Sequence, residues 1–364
     1  MRKVEFFAPV HAYNNQSTAR RGEAADLARR AEDEGWAGVT FGDSQNLASD
    51  PYVAMSMAAA STKNIKLATG VTNPSTRHPA VTAAAISSVD VESGGRAELG
   101  IGRGDSALGY LGLAPAPLAD LKSYLSQLRR YLHGEGVPLS EAAGTRTHRL
   151  GTCTPPHGLP TSSRLEWLSQ GFPEKPPVPV FVVASGPRVI ELAARNSDRV
   201  VFAVGGSPER LAWAIDLARG INPEIQVGAY VNVIVHDDQE KALAMGAGLI
   251  ATFARYSVSR GKISGPVSDE LLESWTRLPA IYELTHHGRR ANAAASTVGP
   301  IAKEFAIAGP AGLCRDRLAE LADLGVDRFY ILGASRSDQS EEIAEARARL
   351  IQSIVEPGLT VQSS

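Results

Sequence analysis

The chain opens with a short apolar run, residues 3–9, rich in Phe and Val, and then changes period. Over residues 17–34, Ala24, Leu27, Ala28 and Ala31 recur at helical spacing, and Gly35 follows as a stop. The alternation then repeats. Residues 36–41, 65–71 and 96–101 read as strands, and 51–61 and 78–92 as helices. Asp50 is placed to cap the first of these helices, with Pro51 at its first position. After an interruption the pattern resumes with strands at 178–184, 199–204 and 226–235 and helices at 187–196, 208–219 and 239–258. A helix at 313–324, a strand at 328–332 and a helix at 339–355 complete it. Strands joined by helical crossovers run parallel. Eight such units predict a closed (β/α)8 TIM barrel rather than a doubly wound open sheet.

Two stretches break the rhythm. Residues 133–177 are rich in Pro, Gly, Thr and Ser, with a helical period only at 164–170. Residues 259–304 are also irregular and carry Tyr282, His286, His287, Arg289 and Arg290 near their middle. The expected organisation is one barrel domain over 1–355 with these two insertions, then a tail over 356–364 that frays at 361–364. Long loops inside a barrel are either active-site covers or surface excursions, and the first use is the commoner.

Composition narrows the class. Of 364 residues, 43% are hydrophobic and 21% charged, which is enough apolar material for a core. Lys plus Arg number 37 and Asp plus Glu 39, a balance of −2 that argues against a general nucleic-acid binder. No apolar run reaches the roughly 18 residues of a membrane helix. Cys153 and Cys314 make neither a disulfide framework nor a metal site. With no secretory pattern in the first residues, the expectation is a cytoplasmic protein with reduced thiols.

In a parallel barrel the site forms at the C-terminal ends of the strands. That rule selects Pro9, His11, Tyr13 and Asn14 after the first strand, and Gly42, Asp43 and Ser44 after the second. Gly70, Val71, Thr72 and Asn73, leading to Arg77 and His78, follow the third. Gly102, Arg103, Gly104, Asp105 and Ser106 follow the fourth, and Ser185, Gly186 and Pro187 the fifth. Gly186 opens a helix, where free N–H groups and the dipole favour an anion such as phosphate; a plain cap with Pro at the first position is the structural alternative. Gly100-Ile101-Gly102-Arg103-Gly104-Asp105 lacks the third glycine of a dinucleotide fingerprint. Its glycines instead suit close approach of backbone to a flat ligand, with Arg103 and Asp105 either facing that ligand or pairing with each other. No nucleophile triad, Walker loop or zinc motif occurs, and His286-His287 is no metal signature without nearby carboxylates. His11 and His78 each read as a hydrogen-bonding residue or a general base. Such a site calls for a cofactor to carry the reaction.

Several segments taken together carry a resemblance. They are Val39-Thr40-Phe41-Gly42-Asp43, Asp50-Pro51-Tyr52, Ala68-Thr69-Gly70-Val71-Thr72-Asn73-Pro74, Thr76-Arg77-His78-Pro79-Ala80, Ser93-Gly94-Gly95-Arg96-Ala97 and the strand-four glycine loop. Ala184-Ser185-Gly186-Pro187 and Gly325-Val326-Asp327-Arg328-Phe329 follow. The ordered set, from about residue 36 to 332, resembles the bacterial luciferase-like superfamily, in particular the branch with methylenetetrahydromethanopterin reductase and related deazaflavin-dependent enzymes.

The resemblance implies a homodimeric barrel holding the deazaflavin F420, or alternatively FMN, across the strand ends. It implies a non-prolyl cis peptide at Gly70–Val71 behind the ring. Asp43, Ser44, Gly70, Val71, Thr72, Asn73 and the loop of Gly102, Arg103, Gly104 and Asp105 would contact the cofactor. Ser185, Gly186 and Pro187 would hold its phosphate. Asp105, Ser44 and His78 are the candidates for proton transfer or orientation. Ser44 stands where the sugar-phosphate dehydrogenases of the superfamily have a histidine, which weakens that activity for this chain. F420 implies hydride transfer to or from a small organic substrate, with Arg77, Arg103, Arg188, Arg289 and Arg290 offering a basic path for its acidic tail. FMN would imply a monooxygenase served by a separate flavin reductase. A non-catalytic cofactor-binding barrel is the third reading.

Overall fold

The computed structural model describes residues 1–10, 20–142, 160–171, 177–259, 262–335 and 340–361. Among them, eight parallel strands close into a ring: β1 (Arg2–Val10), β2 (Gly38–Phe41), β3 (Lys66–Thr69), β4 (Ala97–Ile101), β5 (Val180–Ala184), β6 (Arg199–Phe202), β7 (Gln226–Val235) and β8 (Arg328–Leu332). The order around the ring is the order in the chain. It closes where β8 pairs with β1, Phe6 opposite Phe329 and Phe7 opposite Tyr330. The (β/α)8 expectation is met.

The outer layer is α1 (Glu23–Asp33), α2 (Pro51–Ser61), α3 (Pro79–Glu92), α4 (Leu118–Leu132), α5 (Pro187–Asn196), α6 (Pro208–Arg219), α7 (Gln239–Tyr256), α8 (Ala311–Asp323) and α9 (Glu341–Leu350). Their starts follow local chemistry. Asp50 caps α2 as expected, its Oδ1 accepting from the Tyr52 and Val53 amides at 2.9 and 3.2 Å, with Pro51 at the first position. α1 begins at Glu23 rather than 17, because Gly22 takes a left-handed conformation and turns the chain there.

Among the elements not anticipated, three bear on the barrel itself. α4 occupies residues that the sequence reading left unassigned, although Leu118, Leu121, Leu125, Leu128 and Leu132 recur at helical spacing. A short strand, Ala306–Gly309, pairs in parallel with the upper half of β7 beyond the reach of β6. Leu359–Val361, expected in the tail that follows the barrel, forms a strand that pairs antiparallel with Arg2–Val4. The 259–304 insertion holds helices Asp269–Thr276 and Leu278–Ile281 and packs on α7 around the buried Trp275. No helix of the described residues is long and apolar enough to cross a membrane.

The bore is filled, not open. Phe7, Phe181 and Tyr230 surround the Tyr330 ring with centroids 5.1, 5.3 and 4.8 Å away. Glycines make the room. A Cβ on Gly38 would fall 2.2 Å from the Phe7 ring, and one on Gly100 2.2 Å from that of Phe181. Below the aromatics, at the N-terminal ends of the strands, Arg328 reaches Glu98 of β4 at 3.1 Å and Glu5 of β1 at 2.8 Å. Lys66 of β3 closes on Glu5 at 2.6 Å. Burial alone would raise the Glu5 pKa, but the Arg328 charge and then Lys66 more than reverse this and hold it low.

Replacing Arg328 with Met leaves two carboxylates facing each other in the bore. The expected loss is about 3–5 kcal/mol in urea unfolding. Because the folded Glu5 pKa lies below its ordinary 4.5, its contribution is full above that pH and fades as pH falls through the folded value. The acid limb of the stability curve should therefore flatten in the variant.

Candidate functional site

A cavity of about 1030 Å³ opens at the C-terminal ends of the strands. Its floor is the aromatic layer, at Tyr230, and Gly42, Gly70, Gly102 and Gly104 bring backbone to one wall. The Gly70–Val71 peptide in this wall is cis, as the resemblance implied. Gly70 has no room for a side chain, since a Cβ would meet that of Thr40 at 2.5 Å. Gly104 turns with φ +75 and packs its backbone on Asn73 and Leu108.

Behind this wall lies a polar brace. Asp43 is buried and accepts from Thr72 Oγ1 at 2.7 Å and from Arg77 Nη1 at 2.6 Å. Arg77 continues to Asp50, the cap of α2. Thr72 extends the β3–β4 pairing past the sheet, donating its N–H to Gly100 O at 2.9 Å and accepting from Gly102 N at 3.0 Å. Asn73 Oδ1 takes the Ser75 and Thr76 amides at 3.0 and 3.1 Å, while its buried Nδ2 has no partner. Asp43 therefore reaches both the brace and the cavity, whereas Thr72 and Asn73 support the wall without lining it.

The remaining sequence candidates divide. Ser44, Val71, Arg103, Asp105 and Ser185 line the cavity. Ser44 Oγ lies 3.0 Å from Ser106 Oγ, which ties the β2 and β4 loops together. Ser185 donates to Tyr256 O at 2.9 Å. Gly186 and Pro187 open α5 just beside the cavity, and Gly186 carries no side-chain cap. His78 does not reach the cavity. Its Nδ1 accepts from Ala80 N at 3.1 Å as the cap of α3, and its Nε2 donates to Ala142 O at 2.7 Å. Both ring nitrogens are thus committed, and the expected role in proton transfer is corrected to a structural one. The alternative pairing of Arg103 with Asp105 is corrected too. Arg103 Nε donates to Ala116 O at 2.7 Å, and Asp105 pairs with Arg255 of α7. Arg77 is neutralised between Asp43 and Asp50, so it offers no basic path. His11, Tyr13 and Asn14 lie outside the described residues.

The second insertion covers the cavity as expected, whereas the share of α7 in the roof was not anticipated. Thr252, Phe253, Arg255 and Tyr256 of α7 line it, with His287 and Arg289 from the second insertion. Arg255 stacks over Tyr282 at 4.4 Å and Tyr256 at 5.1 Å, and its buried Nε has no partner. Burial alone would lower the Arg255 pKa; Tyr256 and then Asp105 reverse this, so the residue stays charged. Thr252 was hidden within a helical period, and His287 was weighed only as a metal ligand.

The arrangement suits a flat ring laid on the glycine wall, with polar groups of the roof above a second molecule. The model of the luciferase-like monooxygenase family matches residues 2–328. The 5,10-methylenetetrahydromethanopterin reductase of Methanolobus tindarius is 28% identical over 330 residues, covering 84% of this chain and 88% of that protein. A putative coenzyme F420-dependent oxidoreductase of Mycobacterium tuberculosis is 24% identical, covering 88% and 93%. The solved F420-dependent tetrahydromethanopterin reductase of Methanopyrus kandleri superposes with a TM-score of 0.69 at 22% identity, covering 98% and 100%, a likeness of fold.

The wall makes a distinction between its glycines. Gly104→Ala puts a Cβ on a left-handed residue 2.9 Å from that of Asn73, and should cost about 2 kcal/mol or more. Gly42→Ala meets nothing nearer than Gly70 O at 3.9 Å, and should stay within about 0.5 kcal/mol in the same urea melts.

Proposed function

The chain belongs to the luciferase-like monooxygenase family, and we propose that it is an F420-dependent oxidoreductase moving hydride between the deazaflavin and a small organic substrate. The observation that carries this reading is the cavity of about 1030 Å³ at the strand ends, with Tyr230 at its floor and the backbone of Gly42, Gly70, Gly102 and Gly104 brought up to one wall. The F420 named for the relatives supports the choice of ring. When bound, F420 supplies a two-electron hydride carrier that reacts poorly with oxygen.

The residues take roles from their positions. Gly70, Val71, Gly102, Gly104 and Asp105 lie along the ring, with Asp43 and Ser44 at its edge and Thr72 and Asn73 fixing the wall from behind. Ser185, Gly186 and Pro187 would receive the phosphate at the start of α5, a helix end that carries no side-chain cap. Arg103 and Arg289 line the cavity and remain as cations for the acidic tail, with the exposed Arg188 beyond. Asp105, held by Arg255, and Ser44, held by Ser106, orient the substrate over the ring.

The partner in this reading is a second copy of the chain, docked through α2 and α3. α2 has no charged residue, and α3 carries only Asp90, which is buried, and Glu92. Val53 and Val81 are 61% and 56% exposed, with Met57 and Val91 beside them. An outer helix pair apolar on its solvent side marks an interface.

Two measurements test the reading. Titration of the apo protein should give tight binding of F420, with a gain of about 2.7 kcal/mol at a hundredfold excess over Kd. Binding of FMN alone would redirect the assignment to a monooxygenase with a reductase partner. Gly186→Val meets only Ser264 Oγ at 3.5 Å; it should weaken F420 binding at least tenfold with little change in the apo melting temperature. Equal loss of both would reduce Gly186 to a turn residue. In light scattering the protein should run as a dimer, and Val53→Glu with Val81→Glu as a monomer; an unchanged mass would place the interface elsewhere.

A further inference from the structure

The roof contains a hydrogen-bonded chain of three side chains that the proposed chemistry has not used. Thr252 Oγ1 lies 2.9 Å from Gly248 O, one turn back in α7, and 2.8 Å from Tyr282 Oη. Tyr282 Oη lies 2.7 Å from His287 Nδ1. Thr252 and His287 line the cavity while being only 2% and 7% exposed.

The donors can be assigned around this chain. Thr252 Oγ1 is placed to donate its single proton to Gly248 O, and the other donors follow from that bond. Thr252 Oγ1 then accepts from Tyr282. Burial first of all raises the Tyr282 pKa, so its hydroxyl keeps that proton. Tyr282 Oη is then an acceptor, and His287 matches it with its proton on Nδ1. Nε2 becomes the nitrogen that gains and loses a proton. Every bond in the chain points the same way, from the imidazole into the helix. This is the logic by which a second residue fixes the tautomer of a catalytic base. Arg255, stacked on Tyr282 and paired with Asp105, ties the chain to the β4 loop at the glycine wall.

We propose that His287, oriented by Tyr282 and Thr252, exchanges the substrate proton that accompanies hydride transfer. The inference rests on the hydride-transfer reading above and implies a substrate with a C=O or C=N group in its oxidised form. In the reducing direction the substrate carbon takes the hydride pair from reduced deazaflavin. Its oxygen or nitrogen takes the proton from Nε2, so an N–H bond of the imidazolium breaks as an O–H or N–H bond forms. In the oxidising direction neutral Nε2 is the base. His287 is the catalytic residue, and Tyr282 and Thr252 are positioning residues.

The first test needs no ligand. Long-range ¹H–¹⁵N NMR of the histidine-labelled protein should show His287 as the Nδ1–H tautomer, and Tyr282→Phe should abolish that preference. A wild-type Nε2–H tautomer would overturn the proposal. The second test is turnover with reduced F420 and a panel of small ketones and cyclic imines. His287→Gln should lower kcat about 100-fold or more, with KM and F420 affinity little changed. His286→Gln should behave as wild type, since His286 sits in an exposed pair with Glu283 and is not among the residues lining the cavity. Melting temperatures confirm that each variant is folded. An undiminished kcat in folded His287→Gln overturns the role of His287 alone. Failure of the wild-type protein to bind F420, or to reduce any member of the panel, overturns the hydride-transfer reading and this role together.

Discussion

Arg328 is the point on which the barrel hangs. It stands at the start of the strand that closes the ring, and its guanidinium crosses the bore to Glu98 on the far side while holding Glu5 on the neighbouring strand. A charge so deeply placed is costly in water-free surroundings and is tolerated only with this full set of partners. Once it is seated, its flat face packs 4.3 Å from the Phe7 ring, and Phe7 in turn packs against Tyr330. The aromatic layer above it is therefore fixed from below, and that layer is the floor of the cavity. The shape of the binding slot thus descends from an ion cluster at the opposite end of the molecule.

The ring was legible because its determinants are local. Alternation of apolar runs with helical spacing places all eight strands, and Asp50-Pro51 marks a helix start that the coordinates reproduce. What was missed follows from longer-range causes. Ala306–Gly309 is only four residues long, and it is a strand because the upper half of β7 offers an unpaired edge there. Leu359–Val361 is ordered by the edge of β1, far away in sequence. α4 is different, since its leucine spacing was present to be read.

The candidate site divides along the same line. Residues at strand ends follow from topology, so Asp43, Ser44, the glycines, Asp105 and Ser185 could be selected by position, and they meet at one cavity. Position alone does not say what a side chain bonds to. His78 sits at a strand-end loop and is nonetheless consumed as a helix cap, and Asp105 finds its arginine on α7 rather than two residues away. The roof residues depend on how an irregular insertion folds back over α7. No period within residues 259–304 signals that Tyr282 will reach Thr252.

The pairing of β8 with β1 also orders events at synthesis. β1 is made first among the eight and β8 last, so one edge of β1 remains without its barrel neighbour for nearly the whole length of the chain. The strand that later covers its other free backbone, Leu359–Val361, is made later still. A nascent chain of this protein therefore carries an apolar strand edge, Phe6 and Phe7 included, that its barrel partner cannot cover until residues 328–332 have been made. Until then the edge is open to pairing with another chain, and shielding it in that interval guards against such mispairing.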